Sequence, residues 1–89
     1  MIVEFDKSFE KYLDKIRDST LLTRIEKVII KIEESDSLVD LPNVKKLSGF
    51  QNYYRIRISD YRIGFEKIDE NTLRLIIIAH RKDIYKLFP

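Results

Sequence analysis

Hydrophobic positions follow two different rhythms along this chain, and the change between them divides it. After a short apolar opening from Ile2 to Phe5, read as a strand, Phe9, Tyr12, Leu13 and Ile16 recur at the i, i+3, i+4, i+7 spacing of an amphipathic helix. Asp6 or Ser8 is placed to cap its first turn, since a short oxygen-bearing side chain can accept from amides that a helix start leaves free. Asp18-Ser19-Thr20 breaks the pattern and offers a second cap. Beyond it, Leu21, Ile25, Val28, Ile29 and Ile32 form one stripe that ends at Ser35-Asp36-Ser37. Two helices joined by so short a break predict an antiparallel hairpin that buries its stripe against a flat surface.

Residues 36–43 are polar, contain Pro42, and read as a loop. The period then becomes two. From Tyr53 to Ser59, one face carries Tyr54, Ile56 and Ile58, and the other carries Tyr53, Arg55, Arg57 and Ser59. Tyr61, Ile63 and Phe65 alternate in the same way with Arg62, Gly64 and Glu66, and the short junction Ser59-Asp60 predicts a tight antiparallel hairpin. A turn at Asp69-Glu70-Asn71 leads to a buried strand from Leu73 to Ala79. The expected fold is α+β, in the order β-α-α-β-β-β, with a mostly antiparallel sheet and the helix hairpin packed on one face. At 89 residues the chain is expected to form a single domain spanning 1–89.

Composition narrows the class. With 44% hydrophobic and 36% charged residues the chain is globular, not disordered. The absence of cysteine excludes a disulfide framework and a thiolate metal site, and fits a reducing compartment. No run approaches the ~20 apolar residues that span a bilayer. The opening Met1-Ile2-Val3-Glu4-Phe5-Asp6 lacks the basic start and long apolar stretch of a signal peptide, so a cytoplasmic location without a membrane partner is expected. The net charge of +2 is mild but unevenly spread: residues 1–43 carry seven basic against ten acidic side chains, and residues 44–89 ten against five. Such an asymmetry points to a polyanion or an acidic partner for the second half. The alternative is a chance imbalance among solvated charges.

Candidate chemistry gathers in that second half. Arg55 and Arg57 project from one strand face about 7 Å apart, and Arg62 returns beside them on the next strand. Like charges facing each other across a sheet repel, and the local acids Asp60 and Glu66 do not match three guanidiniums in number. A patch that grips phosphate explains the arrangement, because guanidinium is planar, permanently charged and forks onto phosphate oxygens. An ordinary solvated face, paired with acids elsewhere, is the alternative. His80 and Tyr85 are the side chains best suited to move protons near neutral pH, although a lone histidine at a strand end is more often structural. One histidine and no cysteine argue against a zinc site, and the scattered Asp and Glu show no metal-ligand spacing, so no metal or cofactor is expected. No glycine-rich phosphate loop or nucleophile elbow competes. Among the aromatics near the arginines, Tyr53 lies on the polar face, where it can stack a base; Tyr54, Tyr61 and Phe65 fall on the core face.

Lys46-Leu47-Ser48-Gly49, the run from Tyr54 to Ile63, and His80-Arg81-Lys82-Asp83-Ile84-Tyr85 resemble, in order and spacing, the core of RelE-type toxins in the RelE/ParE superfamily. The opening strand and helix pair extend the resemblance over nearly the whole chain. It implies an endoribonuclease that enters the ribosomal A site and cuts mRNA there. The 2′-hydroxyl attacks the adjacent phosphate without a metal, and a cognate antitoxin protein holds the enzyme inactive. Carried over to this chain, Arg55 and Arg57 hold RNA around the scissile phosphate, and Arg62 and Arg81 bind the pentavalent phosphorus. The resemblance also implies that Tyr85 orients or stacks the base. Lys45, Lys46, Tyr53 and Lys82 are the further residues expected to bind RNA. Some relatives place lysine where this chain has Arg55 and Arg57, and others use a Glu and His pair; here His80 is the expected proton carrier, with Tyr85 behind it. Two alternatives remain: a ParE-type poison of DNA gyrase, and a catalytically silent member that only binds RNA or antitoxin.

Overall fold

The computed structural model describes residues Met1–Pro89. The period-two segments assemble into a five-stranded sheet of order β1-β5-β4-β3-β2, formed by β1 (Ile2–Phe5), β2 (Val44–Lys46), β3 (Tyr53–Ile58), β4 (Tyr61–Asp69) and β5 (Thr72–His80). β1 runs parallel to β5, and every other neighbouring pair is antiparallel. The helices are α1 (Lys7–Asp14), α2 (Ser19–Glu34) and a single turn, α3 (Ile84–Leu87); a short 3-10 turn covers Leu38–Asp40. No helix is long and apolar enough to cross a membrane.

Both expected caps form. The Asp6 carboxylate accepts from the Ser8 amide at 3.1 Å, and the Asp18 carboxylate accepts from the amides of Thr20 at 2.9 Å and Leu21 at 3.2 Å. The apolar stripes of α1 and α2 then meet one face of the sheet: Phe9, Leu21, Ile25 and Ile32 pack with Ile56, Ile58, Ile63, Phe65, Leu73, Leu75 and Ile78. α1 stops at Asp14, where the Lys15 amide turns to the Leu13 and Tyr12 carbonyls, so Ile16 reaches this core from beyond the helix.

The structure adds two elements to the expected order. β2 has three residues, two of them lysines, and exists through its pairing with β3, in which Lys45 lies opposite Arg55. α3 owes its place to an irregularity in β5. Gly64 pairs with Ile77 but Phe65 pairs with Leu75, which leaves Ile76 as an extra residue. Leu73 and Leu75 therefore face α1 and α2, whereas Ile77 and Ala79 turn to the opposite side. Ile84 and Phe88 cover them there in a second, smaller apolar cluster. Gly64 makes that cover possible: a Cβ at this position would stand 2.6 Å from Phe88 Cδ2 and 2.8 Å from Ile77 Cγ2.

Candidate functional site

The sheet face turned away from α1 and α2 carries the basic groove. Strand register sets its charge: Lys45 lies opposite Arg55, and Arg57 lies directly opposite Arg62. A cavity of about 230 Å³ opens among Asn43, Lys45, Arg55, Arg57 and Arg62, and no carboxylate lines it. The ion pairs of the molecule lie elsewhere, between Lys67 and Glu70 at 3.2 Å and between Arg74 and Glu4 at 3.4 Å. Four cations thus share one small space with no acidic partner, an arrangement that repels itself until an anion enters.

Arg62 is the most constrained of them. Its Nη1 donates to the carbonyls of Ser59 at 3.1 Å and Tyr61 at 2.9 Å, so the β3–β4 turn holds its guanidinium. That turn places Ser59 in the left-handed region, at φ 54°. Burial lowers the Arg62 pKa from the ordinary arginine value, the charges of Arg57 and Arg55 lower it further, and Arg81 adds a smaller push in the same direction. The group remains a cation, since arginine does not lose its proton in a protein.

A second cavity, of about 520 Å³, adjoins the first through Lys45 and Arg55 and is lined further on by Lys46, Leu47, Phe50, Tyr85 and Phe88. Arg55 links the two ends, with its guanidinium carbon 4.7 Å above the Tyr85 ring. Tyr85 itself is 71% exposed. Phe50, Tyr53 and Phe88 form an edge-on aromatic row with centroids 5.7 and 5.5 Å apart. Tyr53 is half-buried within this row, so Phe50 and Tyr85 are the aromatics that the groove exposes. Together the cavities offer a phosphate-sized cluster of fixed charge beside a partly apolar slot.

The other candidates divide by position. Arg81 and Lys82 are exposed in the turn after β5, and the Arg81 amide donates to the Asp60 carbonyl at 2.8 Å, which joins that turn to the β3–β4 turn. Lys45 and Lys46 are exposed on the edge strand β2. His80 is not brought into the cluster. It lies opposite Tyr61, whose ring meets its edge at 5.5 Å, on the side of the sheet that faces the helices. The structure thus sets His80, expected as a proton carrier, on the face opposite the arginines, because the extra residue in β5 turns the strand's last residues to the other side. Sequence reasoning also missed Asn43 and Phe50. Phe50 carried a signal, as a large apolar side chain in the otherwise small and polar run Ser48-Gly49-Phe50-Gln51-Asn52. Asn43 stands just outside β2 with φ 64°, a conformation that asparagine tolerates better than most residues.

Comparison with known proteins fits this geometry. Residues 3–85 match the family model described as the ParE toxin of the type II toxin–antitoxin system parDE. Toxin RelE3 of Methanocaldococcus jannaschii is 41% identical over 90 residues that cover 100% of both chains. In the crystal structure of a RelB–RelE antitoxin–toxin complex from Methanococcus jannaschii, the matched chain superimposes with a TM-score of 0.79 at 38% identity, over 97% of this chain and 99% of that one. A mutant of the E. coli toxin RelE, in complex with a peptide of its antitoxin, matches with a TM-score of 0.68 at 26% identity, over 97% of this chain and 90% of that one. Fold, groove and relatives together define a small toxin of the type II toxin–antitoxin class. The chain belongs to the RelE/ParE superfamily.

Proposed function

We propose that this protein is an mRNA-cleaving toxin that acts in the cytoplasm, at the ribosomal A site, and is held inactive by a cognate antitoxin. The observation that carries this reading is the acid-free cluster of Lys45, Arg55, Arg57 and Arg62, with Arg62 locked by turn carbonyls. Fixed cations matched to developing negative charge are what phosphoryl transfer rewards. In the reaction, the 2′-oxygen bonds to the adjacent phosphorus and the bond from phosphorus to the 5′-oxygen breaks. A 2′,3′-cyclic phosphate and a 5′-hydroxyl result; one proton leaves the attacking oxygen and one joins the departing oxygen. Arg57 and Arg62 face the phosphate and stabilise its pentavalent form by charge, since neither can serve as a base. Arg55 holds Tyr85 for contact with a base, and Arg81 adds charge from the margin. Lys45, Lys46 and Lys82 bind flanking phosphates, so affinity falls with salt. A cognate antitoxin is supported by the RelB–RelE complex among the matched structures, and the basic second half of the chain is the reason to expect it to cover this groove with acidic side chains.

A second reading, inhibition of DNA gyrase, draws support from the family model, which describes a ParE toxin. Induced expression in bacteria, followed by primer extension on an abundant translated mRNA, separates the two. Growth arrest with new codon-phased 5′ ends, absent in Arg62→Ala, is the expected result. Arrest with intact mRNA and broken or oversupercoiled DNA would replace the nuclease reading with the gyrase one.

A further inference from the structure

Three hydrogen bonds shape the turn that leaves β5. The Arg81 amide donates to the Asp60 carbonyl at 2.8 Å, the Asp83 amide to the His80 carbonyl at 2.8 Å, and the Lys82 amide to His80 Nδ1 at 3.1 Å. The third is the only one of these whose acceptor is a side chain. To accept it, Nδ1 must be unprotonated, which puts the ring proton on Nε2. The ring cannot drift freely, because it is half-buried and its edge meets Tyr61 at 5.5 Å. The Lys82 amide has no other partner in the chain.

This turn carries Arg81 and opens α3, from which Tyr85 reaches beneath Arg55. We infer that His80 is a positioning residue: from the helix side of the sheet its Nδ1 holds the Lys82 amide, and so sets where Arg81 and Tyr85 stand on the opposite side. The helix core is thereby connected to the basic groove through one imidazole. The consequence for catalysis rests on the nuclease reading, whereas the structural role does not. A misplacement of about 1 Å in groups that bind a reacting phosphate is enough to cost about 100-fold in rate.

Asparagine and glutamine separate this role from others. In His80→Asn, Oδ1 takes the place of Nδ1 and can accept from the same amide. In His80→Gln the oxygen falls nearer the position of Nε2, and His80→Leu supplies no acceptor. The test compares wild type and the three variants by hydrogen exchange at the Lys82 amide and by cleavage of mRNA on purified programmed ribosomes. Lys82 exchange in the Asn variant should stay within about threefold of wild type, and in the Gln and Leu variants should rise at least about tenfold. Cleavage should follow the same order, with kcat reduced about tenfold or more in Gln and Leu and KM little changed. Unchanged exchange and cleavage in Gln and Leu would overturn the inference. So would an Asn variant that protects Lys82 but does not cut, since the ring would then serve as a proton carrier. If Leu fails to fold, the Asn and Gln pair decides alone. If wild type cuts no RNA, the nuclease reading falls while the exchange rates still decide the role of His80.

Discussion

The two faces of this sheet are built on opposite terms. On the helix side, Ile63, Phe65, Leu73 and Leu75 are fully buried against Phe9, Ile25 and Ile32, and each buried side chain supports its neighbours. On the other side, a smaller patch packs around Ile77, Ala79, Ile84 and Phe88, and the region where β2, β3 and the start of β4 meet holds cations next to one another. The first face supplies the burial that a chain of this size needs, at about 25 cal/mol for each Å² of apolar surface removed from water. The second spends a little of that stability to keep guanidiniums close together. The contrast teaches where function lies: substitutions in the buried core on the helix side should act through folding, and substitutions among the cations should act through activity.

Phe65→Ala is the strongest way to test the first half of that comparison. Loss of this fully buried ring, which stacks on Tyr54 at 5.6 Å, should cost about 3–5 kcal/mol in a denaturant titration and leave little folded protein to assay. Arg62→Ala is its counterpart. Activity should fall about 10²–10³-fold, corresponding to loss of one charge-stabilising donor. Its melting temperature should stay near that of wild type, because relief of like-charge repulsion offsets loss of the hydrogen bonds to the Ser59 and Tyr61 carbonyls. A melting temperature that falls along with activity would break the comparison.

Gly64→Ala tests the seam between the faces. The added methyl meets Phe88 and Ile77, and overpacking of this kind should cost about 1–3 kcal/mol. It should also displace α3 and Tyr85 and so lower cleavage beyond what the loss of stability explains, as measured by melting and cleavage on the same preparation.

The smallest effect belongs to the helix side. The Ser8 hydroxyl, then the Ser8 amide, hold the Asp6 carboxyl below its ordinary pKa. A lowered folded-state value means that the ionised form is favoured in the folded protein. Its contribution is present above the ordinary aspartate value of about 3.9, and is lost as pH falls through the lower folded value. Thermal melts of Asp6→Asn against wild type should differ above that range and converge below it.

Much of this architecture was legible in the sequence, and the reasons differ by region. The helices and the β3–β4 hairpin announced themselves through long runs of one period, with Asp6, Asp18 and the Ser59-Asp60 turn at their ends. The arginines could be assigned to one face because β3 and β4 are regular where they carry them. β2 was hidden, since two lysines and a valine have no strand signature and pair only because β3 offers an edge. Strict alternation along β5 sets Ile77 and Ala79 with Leu73 and Leu75, and puts His80 on the side of the arginines. The extra residue at Ile76 turns all three the other way, and nothing in a run of consecutive isoleucines marks where such a residue falls. Placement of α3, and of Tyr85 and Phe88 with it, depends on that reversal.

Whether the cationic face cuts RNA is decided with purified ribosomes carrying a defined mRNA codon in the A site. Wild type should produce a single cut at that codon, with a 5′-hydroxyl on the downstream fragment, and the Arg57→Ala, Arg62→Ala double variant should melt like wild type and leave the mRNA intact. Cutting by the folded double variant at the wild-type rate, or no cutting by the wild type, would contradict the account.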